Sequence, residues 1–212
     1  MTFDIEWWWG FQEEISEQFD FSKDREEVAA RLVSDTKQKI SLIKERIEDK
    51  DLILLGAGLK KETIIPNKNV IVADGALRAC LEQGITPSIV VTDLDGYIPD
   101  ILYASEKGSE IVLHAHGDNM ARVFQYILEL GPNCITTTYP SASSSCWGGF
   151  TDGDRALMMT LSLNCNTVKM VGFDYKIIGA YSGDYSPRKL EKLSWANKIV
   201  EACRKRSNKI IA

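Results

Sequence analysis

The chain has 212 residues, 44% of them hydrophobic and 26% charged, and its 25 Lys and Arg against 30 Asp and Glu leave a formal charge of −5. A chain this long buries roughly 70% of its unfolded surface, enough for one large domain without staples, and mild scattered acidity argues against general nucleic-acid binding. No apolar run reaches the roughly 20 residues of a membrane span, and five dispersed cysteines without a CxxC pair exclude a disulfide scaffold and a zinc knuckle and fit a reducing cytoplasm.

Residues 1–50 read as an N-terminal helical segment. Their acidic start has neither a basic stretch nor a small-residue cleavage site, so no signal peptide is expected. Trp7, Trp8 and Trp9 cannot all face one way on a helix. The expectation is an arm packed on the protein's own core, with a lid or a homodimer interface as the alternative. Ser22 is placed to cap a helix whose apolar stripe takes in Val28, Leu32, Ile40, Ile43 and Ile47.

From residue 51 the pattern changes. Short apolar runs at 52–55, 70–73, 88–91, 111–114, 134–137 and 168–171 mostly end in Gly or Asp, and helical patterns at 76–83, 119–130 and 152–163 fill several of the gaps. Strands that are apolar throughout and alternate with helices predict a mostly parallel sheet with helices on both faces. Ligands bind outside the carboxyl ends of such strands, where this sequence puts its aspartates. The tail, 186–209, reads as a last helix capped by Ser186 with Pro187 at its first position. The serine-rich run 141–145 reads as a loop.

The densest chemical signal is Thr92-Asp93-Leu94-Asp95-Gly96. Two carboxylates so close repel unless a cation lies between them, and hard oxygen ligands suit Mg²⁺. Alone, the motif reads equally as a solvated turn. Asp74, Asp118, Asp152, Asp154 and Asp174 stand at other strand ends or helix starts, so a parallel sheet would gather them at one edge and favour a magnesium-nucleotide. His114 and His116 lie on one face of a strand, as ligand contacts, acid–base groups or satisfied strand-end histidines. Thr151 to Asp154 reads as a helix cap that also exposes N–H groups to phosphate. Gly56-Ala57-Gly58 allows a close backbone approach, but neither a dinucleotide fingerprint nor a P-loop is present.

These motifs carry a resemblance. Ala73-Asp74-Gly75-Ala76, the run TPSIVVTDLDG at 86–96, HAHGDN at 114–119 and GGFTDGDRA at 148–156 resemble the archaeal type of 6-hydroxymethyl-7,8-dihydropterin diphosphokinase, as do Gly172-Phe173-Asp174 and the basic run 188–193. Where the family pattern has Gly-Pro-Ser, this chain has Gly58-Leu59-Lys60. More distantly the acidic elements are similar to those of thiamine diphosphokinase, implying that fold for an α/β diphosphokinase domain at 51–212.

The resemblance implies transfer of a diphosphate from ATP to the pterin hydroxymethyl group in folate or methanopterin biosynthesis, with release of AMP. It assigns Asp93 and Asp95 to Mg²⁺, assisted by Asp74 and Asp152, and makes Arg155, Lys189 and Lys192 the counter-charges for phosphate. His114, His116, Asp118 and Asn119 become candidates for the pterin or its hydroxyl. Gly56, Gly58, Gly75, Thr151, Asp154 and Asp174 become nucleotide or substrate contacts. The loop from Tyr139 to Trp147 is read as a cover, with Trp147 stacking on a ring. The expected partners are small molecules and a second copy of the chain, with no nucleic acid or membrane. A thiamine diphosphokinase and a non-catalytic nucleotide-binding protein remain the alternatives.

Overall fold

The protein is described by a computed structural model over residues 3–33, 38–141, 144–183 and 185–211. Three helices come first: α1 (Trp8–Phe19), α2 (Lys23–Leu32) and α3 (Ile40–Ile47). The apolar runs then become β1 (Asp51–Leu55), β2 (Val70–Ala73), β3 (Ile89–Thr92), β4 (Glu110–Ala115), β5 (Cys134–Thr137) and β6 (Thr167–Val171). Between and after them lie α4 (Leu77–Glu82), α5 (Ile98–Glu106), α6 (Met120–Leu130), α7 (Asp152–Ser162) and α8 (Pro187–Arg204), with β7 (Ile210–Ile211) closing the chain. Among the described residues seven strands form one parallel sheet in the order β5-β4-β3-β2-β1-β6-β7, with helices on both faces as expected.

Strand residues alternate between two cores. Leu52, Leu54, Ile71, Val91, Val112 and Val168 pack under α1, α3, α7 and α8. Leu55, Val70, Val72, Val90, Ile111 and Leu113 pack under α4, α5 and α6. This two-sided burial is why the strands read as continuous apolar runs. From β1 the chain proceeds through β2 to β5 on one side, then returns to lay β6 on the other side of β1. The loops after β1 and β6 diverge there, opening a crevice at the carboxyl ends of the strands.

The N-terminal segment departs from the sequence pattern. One helix was expected from Ser22 through Ile47; two form, and residues 34–37 between them lie outside the described set. Ile43 and Ile47 are buried, whereas Val28 and Leu32 are exposed. The buried face of α2 is Glu26, Ala29 and Ala30 instead, small side chains around one acid that let this helix approach the sheet closely. Trp8 is buried while Trp7 and Trp9 are half-buried, all three packed with the core beneath α1. Ser186 caps α8, accepting from the Lys189 N–H, and Trp195, Ala196, Ile199, Val200, Ala202 and Cys203 form its buried face. The short β7 was not anticipated. No helix among the described residues is long and apolar enough to cross a membrane.

Candidate active site

Asp74 follows β2, Asp95 follows β3 and Asp152 opens α7, and one carboxylate oxygen from each lies within 4.8 Å of the others. Three elements far apart in sequence thus bring three acids to one point at the sheet edge. Asp74 is buried, accepting a 2.5 Å bond from the Thr92 hydroxyl and a 3.2 Å bond from the Gly96 N–H. Burial first, and then the charges of Asp95 and Asp93, push Asp74 up to about 7 against the Thr92 bond. Burial and the Asp93 charge push Asp95 up to about 6. Burial, then Asp93, raise Asp152 well above the carboxylate range, although Arg155 opposes this. Such a set holds three negative charges together only with a compensating cation, so the donors fit a hard ion such as Mg²⁺.

Asp93 stands outside that triad. Leu94 is buried with φ of +66°, a left-handed conformation rare for leucine, and it turns the chain between the two acids. Asp93 Oδ1 accepts from the Asp95 N–H at 3.1 Å, and Oδ2 lies 3.7 Å from His116 Nε2. Burial would raise Asp93, but the adjacent His116 ring, with the charge of Arg155, holds it well below the usual range. The Asp118 N–H donates to His116 Nδ1 at 3.3 Å, so Nε2 is the ring nitrogen that carries a proton toward Asp93. A line of acids therefore runs from the triad through Asp93 to His116.

Two cavities flank this line. The larger, an open cleft of about 930 Å³, lies at the divergence of the β1 and β6 loops and has Asp95 and Asp152 in its wall. Gly56 and Gly58 line it beside Gly75, Thr151 and Asp174, and a Cβ on Gly58 would meet the Gly172 carbonyl oxygen at 2.7 Å. Phe173, Ile177 and Ile178 give the cleft an apolar side. The smaller pocket, about 490 Å³, has Asp93, His114, His116, Arg155, Phe150 and Glu26 in its wall. Lys192 lines both cavities, and Lys189, which lines the larger, donates to the Ser182 carbonyl at 2.6 Å.

Several sequence candidates already hold partners within the protein. Asp118 points to Arg25 at 2.9 Å on the surface. The Asn119 amide donates to the carbonyls of Asp93 and His114, both at 2.7 Å, and so fixes two loops from within. Asp154 accepts from the N–H and hydroxyl of Thr151 and caps α7. Asp174 accepts from the Lys176 N–H. His114 is buried 3.0 Å from the Thr136 hydroxyl, and burial, with Arg155 and His116, lowers it well below its ordinary value, so it is neutral. Arg155 bonds Asp152 at 3.2 Å and the Gly149 and Phe150 carbonyls at 3.3 Å. Trp147 packs against the core instead of lining either cavity, and Ala142 and Ser143 of the expected cover lie outside the described residues.

Two residues of this region have no role assigned by the sequence. Thr92 left a signal, a hydroxyl at the end of an otherwise apolar strand. Glu26 left a fainter one: it shares the i, i+3, i+4 stripe of Ala29 and Ala30 within a run of charges.

The chain is similar to known proteins along most of its length. A family model described as 6-hydroxymethylpterin diphosphokinase MptE-like matches residues 27–179. The 6-hydroxymethyl-7,8-dihydropterin pyrophosphokinase of Pyrococcus furiosus is 37% identical over 215 residues, covering 92% of this chain and 91% of that protein. The proteins of the same name from Methanothermobacter thermautotrophicus and Methanocaldococcus jannaschii are 32% and 33% identical, covering 93% and 86% of this chain and 94% and 83% of their own lengths.

Proposed function

The chain belongs to the MptE-like 6-hydroxymethylpterin diphosphokinase family, and from that premise we propose that it moves a diphosphate from Mg·ATP to the hydroxymethyl group of 6-hydroxymethyl-7,8-dihydropterin, releasing AMP. The observation that carries this reading is the placement of the Asp74–Asp95–Asp152 triad between two cavities that share Lys192. A donor and an acceptor can then meet at one point, which converts the transfer into a positioned, effectively unimolecular step.

In this reading the larger cleft takes the nucleotide. Its apolar side of Phe173, Ile177 and Ile178 receives the base, and its glycine loop lets backbone approach the phosphates. Asp74, Asp95 and Asp152 would hold the ion, and Asp93 stands beside that triad. A magnesium ion held there supplies charge neutralisation and alignment of phosphate oxygens. The smaller pocket takes the pterin, with its hydroxyl directed to Asp93. The hydroxyl oxygen bonds to the β-phosphorus while the bond from that phosphorus to the bridging oxygen of AMP breaks. The hydroxyl proton passes to Asp93 Oδ2, whose low basicity suffices in a loose transition state. Lys192 balances charge on the migrating group, and Arg155 aims Asp152 and favours its ionised form.

The test is to incubate the protein with ATP, with or without Mg²⁺, and with the dihydropterin or thiamine in separate tubes, and to follow AMP by chromatography. AMP forming with the pterin and magnesium together is the expected result. AMP with thiamine alone would move the acceptor, and AMP formation unaffected by EDTA would remove the metal.

A further inference from the structure

The smaller pocket has two carboxylates in its wall, Asp93 and Glu26. Asp93 adjoins the triad and so belongs to the reacting end. Glu26 comes from α2, in the N-terminal helical segment. The family match begins one residue after it, at position 27.

Glu26 is buried, only 6% exposed, and is held by both oxygens. Oε1 accepts from the Gly117 N–H at 3.0 Å, and Oε2 accepts from the Thr138 hydroxyl at 2.6 Å. Its neighbour Arg25 donates to the Gly117 carbonyl at 2.9 Å. Gly117 has to be glycine for this approach, because a Cβ there would lie 2.9 Å from the Arg25 Cβ. The N-terminal segment is thus clamped onto the loops that follow β4 and β5, with Glu26 at the seam.

An ionised carboxylate has about four acceptor positions, and the two bonds above leave one free on each oxygen. A buried carboxylate with two spare acceptors fits a ligand edge bearing two adjacent N–H donors. A 2-amino-4-oxo pyrimidine ring has that edge, at its ring N3–H and its 2-amino group. In 6-hydroxymethyl-7,8-dihydropterin the edge lies at the opposite end of the fused ring system from the hydroxymethyl group. Phe21 and Phe150, 6.1 Å apart between ring centroids, supply apolar faces in the same pocket.

We infer that Glu26 is the specificity-determining residue of the acceptor site, reading the N3–H and 2-amino donors of the pterin from the N-terminal segment. This rests on the pterin reading of the smaller pocket. Asp93 then takes the hydroxyl end, and the two carboxylates set the direction in which the ring enters.

The test measures equilibrium binding by ligand fluorescence to the full chain, using 6-hydroxymethyl-7,8-dihydropterin and its analogue lacking the 2-amino group. Wild type is expected to bind the pterin about 10- to 100-fold more tightly than the analogue, the range for one or two charge-assisted bonds. Glu26→Gln keeps an acceptor for Gly117 and presents an N–H₂ that the Thr138 oxygen can accept, so the clamp survives. It is expected to weaken the pterin by a similar factor, to weaken the analogue by less because that ligand offers Glu26 only its N3–H, and to raise the KM for pterin without raising that for ATP. Wild type binding both ligands equally would overturn the inference without recourse to any variant, as would a folded Glu26→Gln protein that still discriminates. Wild type binding neither ligand would overturn the pterin reading and this inference together, so the two failures are distinguishable.

Discussion

The hydroxyl of Thr92 donates a 2.5 Å hydrogen bond to Oδ2 of Asp74, tying the ends of β3 and β2 together beneath the acidic triad. The Thr92 hydroxyl oxygen in turn accepts from the Leu94 N–H at 2.8 Å, so it also supports the turn that separates Asp93 from Asp95. Thr92→Val keeps the shape and deletes both bonds. Leaving these buried groups unsatisfied costs about 2–4 kcal/mol, a fall of several degrees in Tm for a chain of this size. Losing a bond that lowers the Asp74 pKa also raises that pKa further, so the variant should need a higher pH to bind magnesium. Thermal melts with and without Mg²⁺ check both effects. An unchanged metal response would detach Asp74 from the ion.

Asp95→Asn separates function from stability. The residue belongs to three crowded acids and is itself pushed up to about 6 by burial and the Asp93 charge, so removing its charge relieves repulsion. The metal-free variant should melt at the wild-type temperature or above it, while turnover falls by about a thousandfold or more, as when a group that stabilises developing charge is deleted. Circular dichroism and AMP release measure the two sides. Retained activity would take Asp95 out of the ion site.

The strands and the convergence of Asp74, Asp95 and Asp152 were legible because a sheet buried on both faces writes uninterrupted apolar runs, and parallel strands must deliver their carboxyl ends to one edge. Side-chain direction was not legible. The positive φ of Leu94, which splits two acids one residue apart, is a tertiary outcome that no spacing rule gives to leucine. Glu26 reaches Gly117 across 91 positions, and a buried acid in a charged run looks like a solvated one until its partners are known. The break between α2 and α3 escaped for a related reason: Val28 and Leu32 fit the stripe, but the close approach needed the smaller Ala29 and Ala30.

The raised acids make magnesium binding a function of pH. Asp74 and Asp95 ordinarily titrate at 3.8 and are raised to about 7 and about 6 in the fold. The folded apoprotein therefore binds more protons than the unfolded chain between these values, and the stability these acids lend is full below pH 3.8 and lost as pH rises through about 7. His114 works in the other direction: its depressed value means that stability is lost as pH falls below 6.5. Magnesium needs the carboxylates and must displace their protons. The rise in Tm caused by magnesium should thus grow from about pH 5.5 to about pH 8 and level off above. Melts across that range, with calorimetry in two buffers to count released protons, test this. A metal shift independent of pH would put the ion away from these acids.

Asp118 separates the reading from sequence from the reading from structure. In sequence it belongs to HAHGDN and looks like a ligand contact. In the fold its carboxylate is 2.9 Å from Arg25, with half of its side chain exposed, while its backbone N–H holds His116 Nδ1. Asp118→Asn keeps that backbone bond and loses only an exposed ion pair, worth less than about 1 kcal/mol. Tm should fall by no more than about 3 °C and turnover should stay within about threefold of wild type. Steady-state rates at saturating ATP and pterin decide the matter. A loss of a hundredfold or more would mean that Asp118 leaves Arg25 when substrate binds and turns its carboxylate into the acceptor pocket.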